Sequence, residues 1–226
     1  MPEMERELGE TAREYAKRVM RQKIIDLELI PGTLVSENEL ASLIGVSRTP
    51  IREALVDLAR YQVVETLPQK GIRISLIDYE QVEEARSTRE MLETGILPLV
   101  CERIMERDVE ELRDIIDSQM DAMRRGEEHR REMLALDDAF HCALFRIARR
   151  ENTRKLIEDL SVHFDRVRGL ALDVVKDRSI IQDHIEICEA VARKDVDYAR
   201  RTMKMHLNRS KLDAEAICKA YPHMIK

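Results

Sequence analysis

The stretch ASLIGVSRTPIREALVD, residues 41–57, decides how the chain is read. It combines a tight turn with a short helix that carries two arginines on one face. Gly45 supplies the left-handed conformation that ends a preceding helix. Ser47 is a residue type that caps the next one. Pro50 falls in that helix's first turn, where its missing N–H removes a donor with no intrahelical partner. Ile51, Leu55 and Leu58 recur at i, i+4 and i+7, the spacing of a buried stripe. Arg48 and Arg52 are four apart and share another face near the helix N-terminus. A recognition helix touches base edges and phosphates at that end. An ordinary surface helix with two solvated arginines has the same local pattern, so the flanks must decide.

Upstream, residues 11–29 put Tyr15, Val19, Ile24, Ile25 and Leu29 at helical spacing, and Pro31-Gly32 ends that run. Ser36-Glu37-Asn38-Glu39 reads as a capping box that opens a short helix to Ile44. Downstream, residues 63–66 and 72–75 are short β-branched runs. Leu67-Pro68-Gln69-Lys70-Gly71 joins them with turn chemistry at both ends. Three helices followed by a β-hairpin make a winged helix-turn-helix, and its wing can lie along a DNA groove with Lys70 and Arg73 near phosphates.

The net charge of -6 seems at first to exclude a nucleic-acid partner, but distribution outweighs the sum. Residues 1–75 hold 11 Lys/Arg and 12 Asp/Glu, against 27 and 32 in the remainder. Within the first part Glu3, Glu5, Glu7, Glu10 and Glu14 lie upstream, while Arg48, Arg52, Lys70 and Arg73 lie in the reading elements. The 226 residues suffice for one large domain or two small ones, and 44% hydrophobic content is enough for a core. Cys101, Cys142, Cys188 and Cys218 are far apart and form no CxxC, which argues against a disulfide framework or a thiolate zinc site. The acidic N-terminus does not read as a signal peptide. No apolar run approaches the roughly 18 residues that span a bilayer. These features lead us to expect a cytoplasmic protein with no membrane partner.

After Ser75 the strand signals stop. Helical patterns cover residues 79–105, with Gly95 and Pro98 expected to bend or break the run, then 108–125, 129–150, 152–176, 179–193 and 196–219. The expected fold is mostly α: a winged helix-turn-helix over residues 1–76 and an antiparallel all-α bundle of about six helices over 77–226. Within the bundle, Asp137 and His141 are i and i+4 and share a helix face. His184 stands near the start of the fifth of these helices and His206 lies on the sixth. Three imidazoles and one carboxylate converging in a bundle core suit a borderline first-row metal better than calcium. From spacing alone, capping and surface histidines fit the same pattern. If the register is off by one, Asp138 replaces Asp137.

The first part resembles the N-terminal domain of GntR-superfamily transcription regulators. The resemblance rests on Pro31-Gly32-Thr33, Glu39-Leu40-Ala41, the run from Gly45 to Leu55 and Gly71 in the wing. It implies contacts to double-stranded operator DNA by Arg48, Thr49 and Arg52, with Gly71 entering the minor groove. Some relatives place an arginine where this chain has Asn38. The helical part resembles the FCD effector domain of FadR-like members. The matching pieces are Arg89-x-x-Leu92-Glu93, Asp137-x-x-Phe140-His141-x-x-Leu144, Asn152, Leu156, His184-x-x-Ile187 and His206-Leu207. That resemblance implies a divalent metal (zinc, nickel or manganese) on Asp137, His141, His184 and His206, with a small carboxylate effector or water completing its coordination.

Arg89 is the first candidate to pair with such a carboxylate, since a guanidinium fork matches its geometry. A salt bridge to Glu90 or Glu93 on its own helix is the alternative, and Arg166 is a second candidate. His163 is open between lining and packing, while His129 and His223 read as surface residues. The functional expectation is a homodimeric, ligand-responsive repressor. The competing expectation is a metal-dependent enzyme with an accessory winged helix, since a histidine-rich site with open positions can activate water. No HExxH and no evident general base support it.

Overall fold

The computed structural model describes residues 4–126, 129–158, 160–174 and 179–226. Ten helices and one small sheet cover them. They divide into two compact units, residues 1–79 with 221–226, and residues 80–220. The second unit therefore stops at Ala220, short of the expected 226, and its first residue is Glu80, not residue 77.

In the first unit α1 (Ala12–Ile25) opens on a complete Thr11/Glu14 capping box and buries Ala16, Val19, Met20, Ile24 and Ile25. The helix ends sooner than expected, because Leu27 takes a positive φ of 60°. The second helix, α2 (Glu37–Ile44), has the expected Ser36/Glu39 capping box and a left-handed Gly45 at its end, φ 75°. Next comes α3 (Arg48–Arg60), with Pro50, Ile51, Ala54, Leu55 and Leu58 buried. Ser47 stands at its N-cap position but makes no side-chain capping bond. Arg13 on α1 holds Asp57 on α3 with two parallel bonds, Nε–Oδ2 2.9 Å and Nη2–Oδ1 2.8 Å.

The wing has three strands where two were expected. Strands β1 (Leu34–Val35), β2 (Val64–Leu67) and β3 (Gly71–Ile74) lie in the order β1-β3-β2, all antiparallel. A strand of two residues carries too little pattern to read from sequence. Gly71 explains why the third strand fits: its φ is +102°, and a Cβ there would stand 2.9 Å from the Val35 carbonyl oxygen. Gly71→Ala is expected to destabilise this unit by about 1–3 kcal/mol, measured by chemical denaturation. An unchanged midpoint would contradict the close approach.

Residues 221–226 return to this unit. Ile77 and Ile225 form a parallel bridge, the Ile77 N–H donates to Met224 at 2.8 Å, and Lys226 Nζ meets Asp78 at 2.8 Å.

The second unit has seven helices, not six, because the run expected at 152–176 is two. The seven are α4 (Tyr79–Arg103), α5 (Glu106–Arg125), α6 (Arg130–Ile147), α7 (Glu151–Glu158), α8 (Val162–Val174), α9 (Ser179–Ala192) and α10 (Val196–Ala220). The expected end at 176 lies outside the described residues. Asp108 is the third residue of α5, and its carboxylate accepts from the Met105 N–H at 3.0 Å. Pro98 does not break α4. A proline leaves the carbonyl four residues back without a helical donor. That carbonyl belongs to Thr94, and Arg200 Nε on α10 donates to it at 3.2 Å. Leu112, Ile116, Phe140, Leu144, Ile187, Val191, Met203 and Leu207 form the centre of one continuous core. Helix α5 packs on α6 and α9, and α10 on α8 and α9, so α6, α9 and α10 bring their polar residues into one interior.

Candidate metal centre and reading head

Asp137, His141, His184 and His206 meet in that interior, and one ligand atom from each lies within 4.8 Å of the others. Asp137 and His141 come from α6, His184 from α9 and His206 from α10. His141, His184 and Asp137 are buried, and His206 nearly so. His141 Nε2 is 3.2 Å from His206 Nε2. Asp137 Oδ1 lies 3.6 Å from His184 Nε2, and its Oδ2 lies 3.7 Å from His141 Nε2. Phe140 stacks on His184, with ring centroids 4.1 Å apart, and backs the imidazole with an apolar wall.

The far nitrogens face acceptors. His141 Nδ1 lies 2.5 Å from Glu93 Oε2 on α4. His184 Nδ1 lies 2.9 Å from Gln119 Oε1 on α5, with the amide oxygen assigned to that side. His206 Nδ1 lies 3.5 Å from Asp183 Oδ2 on α9, and Asp183 is held in turn by Arg209. The hydrogen bond at His184 Nδ1, and a carboxylate beside each of the other two Nδ1 atoms, favour the proton on that side and leave the lone pair on Nε2. Three lone pairs and a carboxylate then face one point. Among the described residues His184 Nε2 is buried with no hydrogen-bond partner. Two facing lone pairs at 3.2 Å repel unless a cation lies between them, so the residues present fit a divalent metal.

Electrostatics keep the set ready for a cation. Burial raises the Asp137 carboxyl, but Arg168 and the three imidazoles outweigh it and hold the group below the usual carboxylate range. Arg168 on α8 ion-pairs with Asp137 and bonds Asp138 and Asp165 at 3.0 Å each. Burial favours the uncharged ring at His141 and, more strongly, at His184. A folded pKa below 6.5 means that the unfolded chain binds more protons as pH falls past 6.5. Metal-free protein is therefore expected to lose about 1–3 kcal/mol of stability between pH 7 and 5.5. Denaturant titration at both pH values checks this, and a flat response would contradict neutral, buried imidazoles.

Both arginine candidates for the effector are buried. Arg89 Nε donates to Glu93 Oε1 at 2.6 Å, so the ion pair on its own helix is formed. Its Nη2 is buried with no hydrogen-bond partner among the described residues. Arg166 Nη2 lies 2.8 Å from His163 Nδ1, and burial pulls its guanidinium down to about 9. Asp138 is no member of the cluster; it faces Arg168 and Arg154. His223 is exposed, whereas His129 is half-buried at the start of α6. The residues that sequence reasoning missed are Glu93 as a histidine partner, Gln119, Asp183 and Arg168. Asp183 directly precedes His184 and so points about 100° away from it, toward His206.

In the reading head Arg48, Thr49 and Arg52 are exposed on α3. Glu37 on α2 takes both arginines, at 2.8 Å from Arg48 Nη2 and 2.7 Å from Arg52 Nε. Lys70 is exposed in the wing turn, and Arg73 pairs across the strands with Glu65 at 2.5 Å.

Residues 13–74 match the family described as bacterial regulatory proteins, gntR family, and residues 84–209 match the FCD domain. The chain belongs to the GntR family. It is 37% identical over 210 residues to an HTH-type transcriptional regulator of Streptomyces ambofaciens from an unstable DNA locus, covering 92% of this chain and 87% of that one. It is 30% identical over 191 residues to the HTH-type transcriptional repressor RspR of Escherichia coli K12, covering 84% and 83%. Among solved structures, Escherichia coli McbR/YncC superposes with a TM-score of 0.79 at 19% identity, over 93% of this chain and 99% of that one. GntR proteins are DNA-binding transcription regulators, not enzymes, which removes the metal-dependent enzyme reading. No helix among the described residues is long and apolar enough to cross a membrane.

Proposed function

We propose that this GntR regulator is a metal-dependent, ligand-responsive repressor that acts as a homodimer on a pseudo-palindromic operator. Arg48, Thr49 and Arg52 read base edges in the major groove, while Lys70, Gly71 and Arg73 approach the backbone and minor groove. Asp137, His141, His184 and His206 hold zinc, nickel or manganese, and the bound metal anchors a small carboxylate effector. The observation that carries this is the convergence of three Nε2 lone pairs and one carboxylate, each imidazole oriented from behind. Arg89 and Arg166 are the effector's charge partners in this reading, Arg89 through its buried Nη2. Repression rather than activation is supported by the RspR relative, which is named a repressor. Regulation requires that the effector bind two states of the protein with different affinity.

Selection of duplexes from a random-sequence pool by the full chain tests the reading. A two-fold symmetric sequence is expected to emerge, and its affinity is expected to shift when a panel of small mono-, di- and tricarboxylates is added to metal-loaded protein. No enriched sequence, or no shift with any carboxylate, would contradict it.

A further inference from the structure

We propose that Glu37 is a specificity-setting residue of the reading head, one that steers Arg48 and Arg52 toward bases and away from indiscriminate phosphate binding. This rests on the proposed DNA-reading role of those two arginines. Glu37 is the first residue of α2, and the capping box of that helix is made by Ser36 and Glu39, so its carboxylate is not needed for the cap. It turns instead to α3. Its Oε2 accepts from Arg48 Nη2 at 2.8 Å and from Arg48 Nε at 3.3 Å. Arg52 donates from Nε, at 2.9 Å to Oε1 and 2.7 Å to Oε2. The carboxylate thus grips Arg52 by its side, and the two terminal nitrogens are not used in that contact. Those two nitrogens form the fork that fits guanine O6 and N7.

The competing explanation is an exposed surface ion pair of no consequence, and for stability that explanation holds. The Arg48 and Arg52 side chains are 54% and 60% exposed, and such pairs contribute little to stability. Helix α3 is fixed by Ile51, Ala54, Leu55 and Leu58, not by this contact. The consequence lies in binding. Glu37 reduces the charge at this point of the surface from two cations to a net of one, and it stays there when DNA arrives. A phosphate at this point meets that carboxylate and is repelled. Guanine O6 and N7 are uncharged acceptors and lose much less. Weakness also matters: a pair worth so little orients the guanidiniums without locking them away from the groove.

The test uses the duplex that wild-type protein selects from a random pool, and a shuffled duplex of the same composition. Glu37→Gln keeps the size and removes the charge. It is expected to tighten binding to the shuffled duplex about tenfold and to steepen its salt dependence by about one charge per subunit. Affinity for the selected duplex stays level or falls, so the ratio between the two drops about tenfold or more. Equal shifts for both duplexes, or no shift for either, would overturn the proposal. Arg52→Ala in the same assay separates the two failures. If Arg52→Ala weakens selected-duplex binding while Glu37→Gln leaves the ratio unchanged, Glu37 has no such role although the reading head stands. If Arg52→Ala changes nothing, both fall. Equal thermal melting of Glu37→Gln and wild type shows that the capping box survives.

Discussion

Arg52→Ala is expected to weaken binding to the selected operator by about 1–3 kcal/mol per subunit, the range for losing a bidentate base contact. A dimer loses it in both half-sites, so the effect is large. The side chain is 60% exposed and its recorded partner is Glu37, so truncation leaves the core of the reading head intact. Discrimination against single base changes should relax at one position of each half-site. Metal content should be unchanged, because Arg52 and the histidines belong to different compact units. Electrophoretic or fluorescence titration against operator and single-base variants reads the effect. Unaltered operator affinity would remove Arg52 from DNA reading.

The second large effect is expected from His141→Ala combined with His206→Ala. These two carry ligand atoms 3.2 Å apart. Removing both leaves Asp137 and His184 alone, too few donors for tight binding of a borderline metal. Elemental analysis of the double variant should show background metal where wild type carries close to one ion per chain. Added to metal-stripped protein at a thousandfold excess over its Kd, zinc should stabilise wild type by about 4 kcal/mol, a rise of roughly 10 °C in Tm. The double variant should not respond. Full metal retention would overturn the ligand assignment. Glu93→Gln is the milder counterpart, expected to weaken metal binding about 10–100-fold through His141.

Much of the fold was legible because its signals are local. The Ser36/Glu39 capping box, the left-handed Gly45 and the buried stripe of Ile51, Leu55 and Leu58 each follow from a few neighbouring residues. What was not legible depends on distant ones. Strand β1 exists because Leu34 and Val35 find β3, thirty-odd residues later in sequence, which no local pattern announces. Pro98 reads as a helix breaker until Arg200, more than a hundred residues on, is seen to take the freed carbonyl. The candidate metal set was visible because Asp137 and His141 share a face and His184 and His206 stand on later helices, and a resemblance joined the four. The residues behind it are spread over α4, α5, α8 and α9, and Glu93 and Asp183 look like ordinary surface acids in sequence. Arg89 and Glu93 were legible as an i,i+4 pair, yet nothing in the sequence says that both are buried or that Glu93 also faces His141.

A nitrogen-rich metal site in the helical unit is central to the proposed regulator. X-ray absorption at the metal edge of protein as purified tests it most directly. The spectrum should show imidazole nitrogen as the dominant donor, accompanied by oxygen and with no sulfur, and it should collapse in the His141→Ala, His206→Ala variant. Sulfur donors, or a spectrum that the double variant leaves unchanged, would contradict it.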